Sequence, residues 1–308
     1  MINSNFLRYG KFLKYPRKIF KHLLSFLYPI FVLLYKLPKV KSVEETLLDI
    51  ETNKNASIVR FGDGEILYLT DQLNLPFQKY ETELAATFQE ILKNNIPNLY
   101  VGMPIGYHSL KTMDNEGQIF WRSQIVWNYP RLKKYLQLNS IYANASITRI
   151  YYGFKKSYAE QNFNHWKRIL TANEVIIIEG EKTRFGVGND LLIGIDNIKR
   201  ILGPKHNAFD KVNELIEFIE TQKKPDLILV ALGPAAKYIV FHLHQKGYSV
   251  IDVGNLDIEY EWYLRNVSER ITIPGKYVSE VVGGREVGDI VDEKLNEIYQ
   301  QQILVDLS

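Results

Sequence analysis

Residues 56–65 read Ala-Ser-Ile-Val-Arg-Phe-Gly-Asp-Gly-Glu, and they end in two carboxylates, Asp63 and Glu65, separated by one glycine. The β-branched run from Ala56 to Arg60 reads as a strand, and Gly62 and Gly64 punctuate the turn that follows it. Two carboxylates at a strand end suit a hard divalent cation. Mg²⁺ and Mn²⁺ take oxygen ligands, often one or two carboxylates with substrate phosphates and water. The same residues also spell an ordinary solvated Asp-Gly turn. The choice between metal site and turn therefore depends on what the rest of the chain brings beside them.

Three later segments are candidates. Residues 180–190 (GEKTRFGVGND) place Arg184 among Gly186, Gly188 and Asp190. Two glycines beside an arginine let backbone amides and a guanidinium approach a diphosphate, although the third glycine of a dinucleotide fingerprint is missing. As structure alone, this is a long surface loop. Gly233-Pro234 follows an apolar run at a strand-to-helix junction, with Pro at the expected first helical position. That helix start either receives a phosphate or simply begins a helix. Asp257, Glu259 and Glu261 stand at alternate positions, so on a helix only one or two of them point into a common site. An inward one is a candidate base for an acceptor hydroxyl, while a solvated acidic helix start is the alternative. His242 and His244 lie two apart in a helical stretch and form no metal pair. No Ser-His-Asp or HExxH arrangement is present.

The elements that would position these groups alternate. Ser42 to Glu45 reads as a capping box opening a helix to about Thr52. Strands are expected at Ala56 to Arg60, Asn98 to Met103, Ile141 to Ala145, Glu174 to Glu179, Ile198 to Leu202, Asp226 to Leu232 and, as the last, Tyr248 to Val253. Helices are expected at Glu81 to Asn95, about Gly117 to Leu136, Phe209 to Thr221, up to about Lys246, and from about Asp257. Apolar strands separated by helices predict a parallel sheet covered on both faces, with ligands at the carboxyl ends of the strands.

The composition is globular: 46% hydrophobic and 24% charged over 308 residues, with no cysteine, which excludes thiolate metal sites, disulfides and cysteine nucleophiles. Residues 1–41 carry nine Lys or Arg and no acid, so removing them from the net charge of +3 leaves −6 for the remainder. Residues 23–35 (LLSFLYPIFVLLY) are almost wholly apolar, too short for a membrane span and followed by Lys36-Leu37-Pro38-Lys39 rather than a signal cleavage site. The segment is expected to be a helical arm lying on an anionic membrane surface, with packing on the body as the alternative. Nucleic acid is not expected as a partner, since basic residues do not alternate with stacking aromatics. The expected division is an arm over 1–41 and a catalytic domain over 42–308.

Taken together, RFGDGE at Arg60 to Glu65, IEGEKTRFGVGND at Ile178 to Asp190, NAFDK at Asn207 to Lys211, ALGPAA at Ala231 to Ala236 and DIEYEW at Asp257 to Trp262 resemble the GT-D-type glycosyltransferases of bacteria. The resemblance spans roughly residues 42–265. It implies a Rossmann-like α/β domain that transfers a sugar from a nucleotide-diphosphate donor, a UDP-sugar being the expected one, with Mn²⁺ or Mg²⁺ at the DxE motif Asp63-Gly64-Glu65. Residues implied at the donor are Arg60, Phe61, Gly62, Glu181, Arg184, Gly186, Gly188, Asn189, Gly233, Pro234 and Asp257. Asp190, Glu259 and Glu181 are the candidate bases that inverting chemistry would require. With the arm at the cytoplasmic leaflet, the expected acceptor is a lipid-linked glycan of the cell surface, and a surface glycoprotein is the related possibility. Competing readings are a haloacid-dehalogenase-type phosphohydrolase, which lacks its later Lys and paired acids here, and an inactive sugar-nucleotide-binding subunit of a glycan assembly complex.

Overall fold

A computed structural model of the chain describes residues 14–111, 113–154, 156–172 and 174–308. In chain order its elements are α1 (Lys14–Leu34), β1 (Lys39–Val40), α2 (Val43–Thr52), β2 (Ser57–Arg60), α3 (Asp63–Asp71), α4 (Thr82–Lys93), β3 (Leu99–Met103), α5 (Asn115–Leu132), β4 (Ile141–Asn144), α6 (Lys156–Ile169), β5 (Glu174–Gly180), β6 (Asn197–Gly203), α7 (Val212–Thr221), β7 (Leu227–Ala231), α8 (Ala235–Gln245), β8 (Val250–Asp252), α9 (Leu256–Leu264), α10 (Glu293–Gln302) and β9 (Ile303–Asp306).

The nine strands form one sheet in the order β1-β4-β3-β2-β8-β7-β5-β6-β9, and every pairing is parallel. The expected mostly parallel α/β sheet with helices on both faces is therefore the observed one. Side chains alternate across it. Ile176 and Ile178 of β5 enter the core shared with α4, α5, α7 and α8, while Val175 and Ile177 enter the one shared with α2, α6 and α9. Both faces are thus buried, which explains why the central strands read as continuous apolar runs rather than alternating ones.

Topology places the site. From β2 the chain crosses through α3 and α4 to β3 on one side. Its second half winds on the other side and returns through α8 to β8, directly against β2. The β2/β8 junction is the switch point, where a crevice opens beyond the strand ends.

Three expectations change. The sheet has edge strands on both sides that the sequence patterns missed: β1 of two residues before the first expected strand, and β9 after the expected last one. Helix α6 was also missed. Residues 63–65 are not a loop turn but the start of α3, with Glu65 reaching back to the Gly62 N–H. The described part of the basic segment is continuous with the body. Phe20, Tyr28, Phe31 and Tyr35 lie along the side of α1 that meets α5, with Phe20 edge-on to Trp127 and Phe31 edge-on to Tyr129. Residues 1–13 lie outside the described residues.

Candidate active site

Because Asp63 and Glu65 sit two apart at a helix start, they point in different directions, and each enters its own network. Glu65 turns toward α8. Its Oε1 accepts from Lys237 Nζ at 2.8 Å and its Oε2 from the Gly62 N–H at 3.0 Å. Lys237 is 2% exposed and also lies 3.2 Å from Asp252 Oδ2 and 3.3 Å from the Gly233 carbonyl. Burial alone would raise the Glu65 pKa, but the Lys237 ammonium and the Gly62 amide pull it down to about 2. Asp252 closes β8 and receives Arg60, whose Nε donates to its carbonyl at 2.7 Å and Nη2 to its Oδ1 at 2.8 Å. The same guanidinium donates to Thr148 Oγ1 beyond β4. Arg60, Asp252, Lys237 and Glu65 thus form a buried chain of alternating charge that ties together the ends of β2, β4, β7 and β8. Gly254 makes room for it: at φ +45° its missing Cβ would lie 2.0 Å from Arg60 Nη2.

Asp63 turns the other way. It is half-buried and lines a small pocket with Ile66, Tyr107, Trp121, Ile125 and Asn128, against α5. It also acts on Arg149, which follows β4. Burial disfavours the Arg149 charge, but Glu280, Glu259 and Asp63 outweigh that and raise its pKa. Glu280 is hydrogen-bonded to Arg149 Nη2, and Glu259 Oε1 stands 3.8 Å from Nη1. Glu259 is 1% exposed, with Oε2 accepting the Tyr151 and Tyr152 N–H groups at 3.0 and 2.8 Å. Burial raises its pKa to about 7 against the opposing pull of Arg149 and the two amides. A carboxyl poised near neutrality beside an arginine is suited to proton transfer.

The other acids of α9 behave as their spacing demands. Asp257 and Glu261 share a face and pair with the buried Lys276 at 2.7 and 3.2 Å, and Asn189 Nδ2 donates to both at 2.8 Å. They pin α9 to neighbouring loops, whereas Glu259 faces Arg149.

The glycine-rich loop does not gather at Asp63. Arg184 is buried and donates to the carbonyls of Gly275 and Gly288 at 2.8 and 2.9 Å. Gly186, at φ +70°, is required because a Cβ there would fall 2.3 Å from Leu192 Cδ1. Gly188 faces Leu295 of α10. Asp190 accepts from Lys167 Nζ at 2.6 Å and Tyr260 Oη at 2.5 Å, in the last turn of α6 and on α9. Glu181 is half-buried and pairs with Lys205 at 3.0 Å. Gly233 contributes its carbonyl to Lys237 and Pro234 is the N-cap of α8. Phe61 is core, edge-on to Phe88.

Sequence reading missed Lys237, Asp252, Arg149 and Glu280. Two signals were available. Lys237 is a lone cation in the apolar first turn of a helix (AAKYIVF), and Asp252 is an acid closing the apolar strand Val-Ile-Asp. Arg149 and Glu280 carry no local pattern, because tertiary folding alone brings them together.

As a cation site, the DxE residues offer one carboxylate at the pocket, Asp63, and a second already engaged with Lys237. Among the described residues no three His, Cys, Asp or Glu side chains converge to hold a metal. That donor set fits a Mg²⁺- or Mn²⁺-type ion whose remaining ligands come from phosphate oxygens and water, rather than an all-protein cage.

Comparison with known proteins places the fold. The chain is 35% identical over 268 residues to glycosyltransferase GlyD of Streptococcus pneumoniae serotype 4, covering 86% of this chain and 33% of that protein. It is 30% identical over 273 residues to the probable glycosyl transferase Gly of Streptococcus gordonii, covering 87% of this chain and 39% of that one. The chain therefore spans little more than a third of the length of these relatives. A solved structure of domain of unknown function 1792, described as having a distinct glycosyltransferase fold, superposes with TM-score 0.79 at 30% identity, covering 94% of this chain and 99% of that one. A glycosyltransferase of the same domain type from Streptococcus sanguinis superposes with TM-score 0.80 at 30% identity, covering 88% and 100%. Residues 58–281, from β2 to the loop beyond α9, match the glycosyltransferases of the GT-D fold, and the chain belongs to that family.

Proposed function

We propose that this glycosyltransferase moves a sugar from a nucleoside-diphosphate sugar, with UDP as the expected nucleotide, to a hydroxyl of a lipid-linked glycan at a membrane surface. The observation that carries the site reading is the placement of Arg149 beyond β4, 3.8 Å from Glu259 and within the electrostatic reach of Asp63. Asp63 would hold a Mn²⁺ or Mg²⁺ ion, with Glu65 beside it in the same helical turn. When bound, that ion supplies Lewis-acid stabilisation of the departing diphosphate. Of the three carboxylates offered as bases, Glu259 is the one that shares a cation with Asp63, while Asp190 and Glu181 are paired elsewhere. Its raised pKa suits it to take the acceptor proton.

The membrane reading is supported by the outer face of α1. Ile19, Leu23, Phe26, Ile30 and Leu33, at spacings of four and three, are all more than half exposed while the opposite face packs on α5. An apolar row on a helix without a single acid matches an interfacial helix on anionic lipid. No helix among the described residues is long and apolar enough to cross a membrane, so attachment would be peripheral, with the cytoplasmic leaflet as the proposed side. The test is donor hydrolysis across UDP- and GDP-sugars with and without Mn²⁺. Mn²⁺-dependent release of one nucleoside diphosphate supports the reading, and metal-independent release or none from any donor contradicts it.

A further inference from the structure

Residues 265–292 run from α9 to α10 without regular helix or strand. This strap is pinned at both ends: the Tyr277 N–H donates to the Lys182 carbonyl, Lys276 pairs with Asp257, and Arg184 holds the Gly275 and Gly288 carbonyls. Between the pins it projects Glu280 toward the site and leaves Val282 at its tip 99% exposed.

Two hydrogen-bond donors and a further guanidinium, from separate parts of the fold, surround the Glu280 carboxylate. Arg149 and Asn255, the N-cap of α9, both donate to Oε1, the latter at 2.8 Å, and Arg270 Nη1 lies 3.0 Å from Oε2. Two guanidinium groups and an amide around one bidentate acceptor also make a receptor for a phosphate, since carboxylate and phosphate oxygens present the same geometry to arginine. Both arginine side chains remain about two-fifths exposed, at 40% and 41%, and Arg270 stacks over Tyr152 at 4.5 Å, so each is accessible without unfolding. Asp63 also lies within the electrostatic reach of Arg149. The cation that a donor diphosphate would meet beside Asp63 is thus already engaged by an acid of the chain itself.

We propose that Arg149, Arg270 and Asn255 form the diphosphate subsite of the donor, and that Glu280 occupies it as an internal phosphate mimic which the incoming diphosphate displaces. This rests on the reading that the site takes a nucleoside-diphosphate sugar. The strap tip is lightly packed: Gly283 has open space where a side chain would be, Val282 is exposed, and Val281 is only partly buried against the core. Displacement exchanges one anion for a more highly charged one, so the arginines stay paired throughout.

The test is calorimetric titration of the full chain with UDP and with GDP in the presence of Mn²⁺, for wild type, Glu280→Gln, Glu280→Ala and Arg270→Gln. Glu280→Gln keeps an oxygen for Asn255 but removes the competing charge. It is expected to tighten nucleoside-diphosphate binding roughly tenfold, the factor removed when a closed form populated about nine times in ten no longer competes. Glu280→Ala should do the same, and Arg270→Gln should weaken binding about tenfold. If wild type binds a nucleoside diphosphate but both Glu280 variants bind it equally or more weakly, the phosphate-mimic role is overturned while the donor reading stands. If neither wild type nor the Glu280 variants bind any nucleoside diphosphate, both fall.

Discussion

Replacing Glu259 with Gln should change how stability depends on pH, and the structure gives the size and sign. In the folded chain the carboxyl is 1% exposed and its pKa is raised to about 7, whereas in the unfolded chain it has the ordinary value of 4.5. Between those values the folded state holds a proton that the unfolded state has released, so stability falls as pH rises from 4.5 to 7. The full difference, at about 1.4 kcal/mol per unit, is about 3 kcal/mol. Gln has the same shape, and its oxygen can take over both bonds that Oε2 accepts from the Tyr151 and Tyr152 amides, but it does not titrate. Urea unfolding of both proteins at pH 5 and pH 8 isolates the term, because every other group titrates alike in the two. The variant should gain about 2.5 kcal/mol relative to wild type between the two pH values, because at pH 5 part of the difference has already developed. Parallel stability curves would show that Glu259 ionises normally, and its assignment as the poised base would fail with them.

Three further outcomes follow from the same geometry. Lys237→Met leaves the buried Glu65 without its cation and Asp252 with Arg60 alone, and should cost about 3–5 kcal/mol in denaturant unfolding, part of which Glu65→Gln in the same chain should restore. Gly254→Ala drives a methyl into Arg60 and should cost about 3 kcal/mol or more by thermal or urea unfolding, whereas Gly288→Ala, with open space around it, should cost far less. The pair Phe26→Glu and Leu33→Glu, both on the exposed side of α1, should leave unfolding unchanged but lower partition onto anionic vesicles by more than tenfold, since each apolar side chain contributes about 2 kcal/mol when buried. Undiminished vesicle binding would remove the membrane role of α1.

The fold was readable where periodicity and capping are local. The capping box at Ser42 and Glu45 starts α2 as expected, with Ser42 Oγ accepting the Glu45 N–H at 3.0 Å, and the buried strands β5 and β7 lie within a residue of their apolar runs. β1 escaped because two residues are too few to show a period, and β9 because Ile303–Asp306 follows directly on α10 with no turn residues between them. The site was legible in residue type more than in role. Asp63, Glu65 and Glu259 were marked by their charge at element ends. Nothing in the sequence separates Glu65, held by Lys237 over 172 positions, from Asp63, which faces the pocket. The Gly/Arg loop reads two ways for a physical reason. Glycines with positive φ and a buried arginine are needed equally for phosphate approach and for close packing, and here Leu192 and the Gly275 and Gly288 carbonyls take them.

The central claim is that Asp63, at the first turn of α3, holds the ion against which the donor diphosphate departs. The most direct measurement is the rate of nucleoside-diphosphate release from the preferred sugar donor at saturating Mn²⁺, comparing wild type with Asp63→Asn. The account predicts a loss of at least about a hundredfold with the unfolding transition unchanged, as expected when a charge-stabilising group at the reacting centre is removed. Wild-type turnover in Asp63→Asn would contradict it.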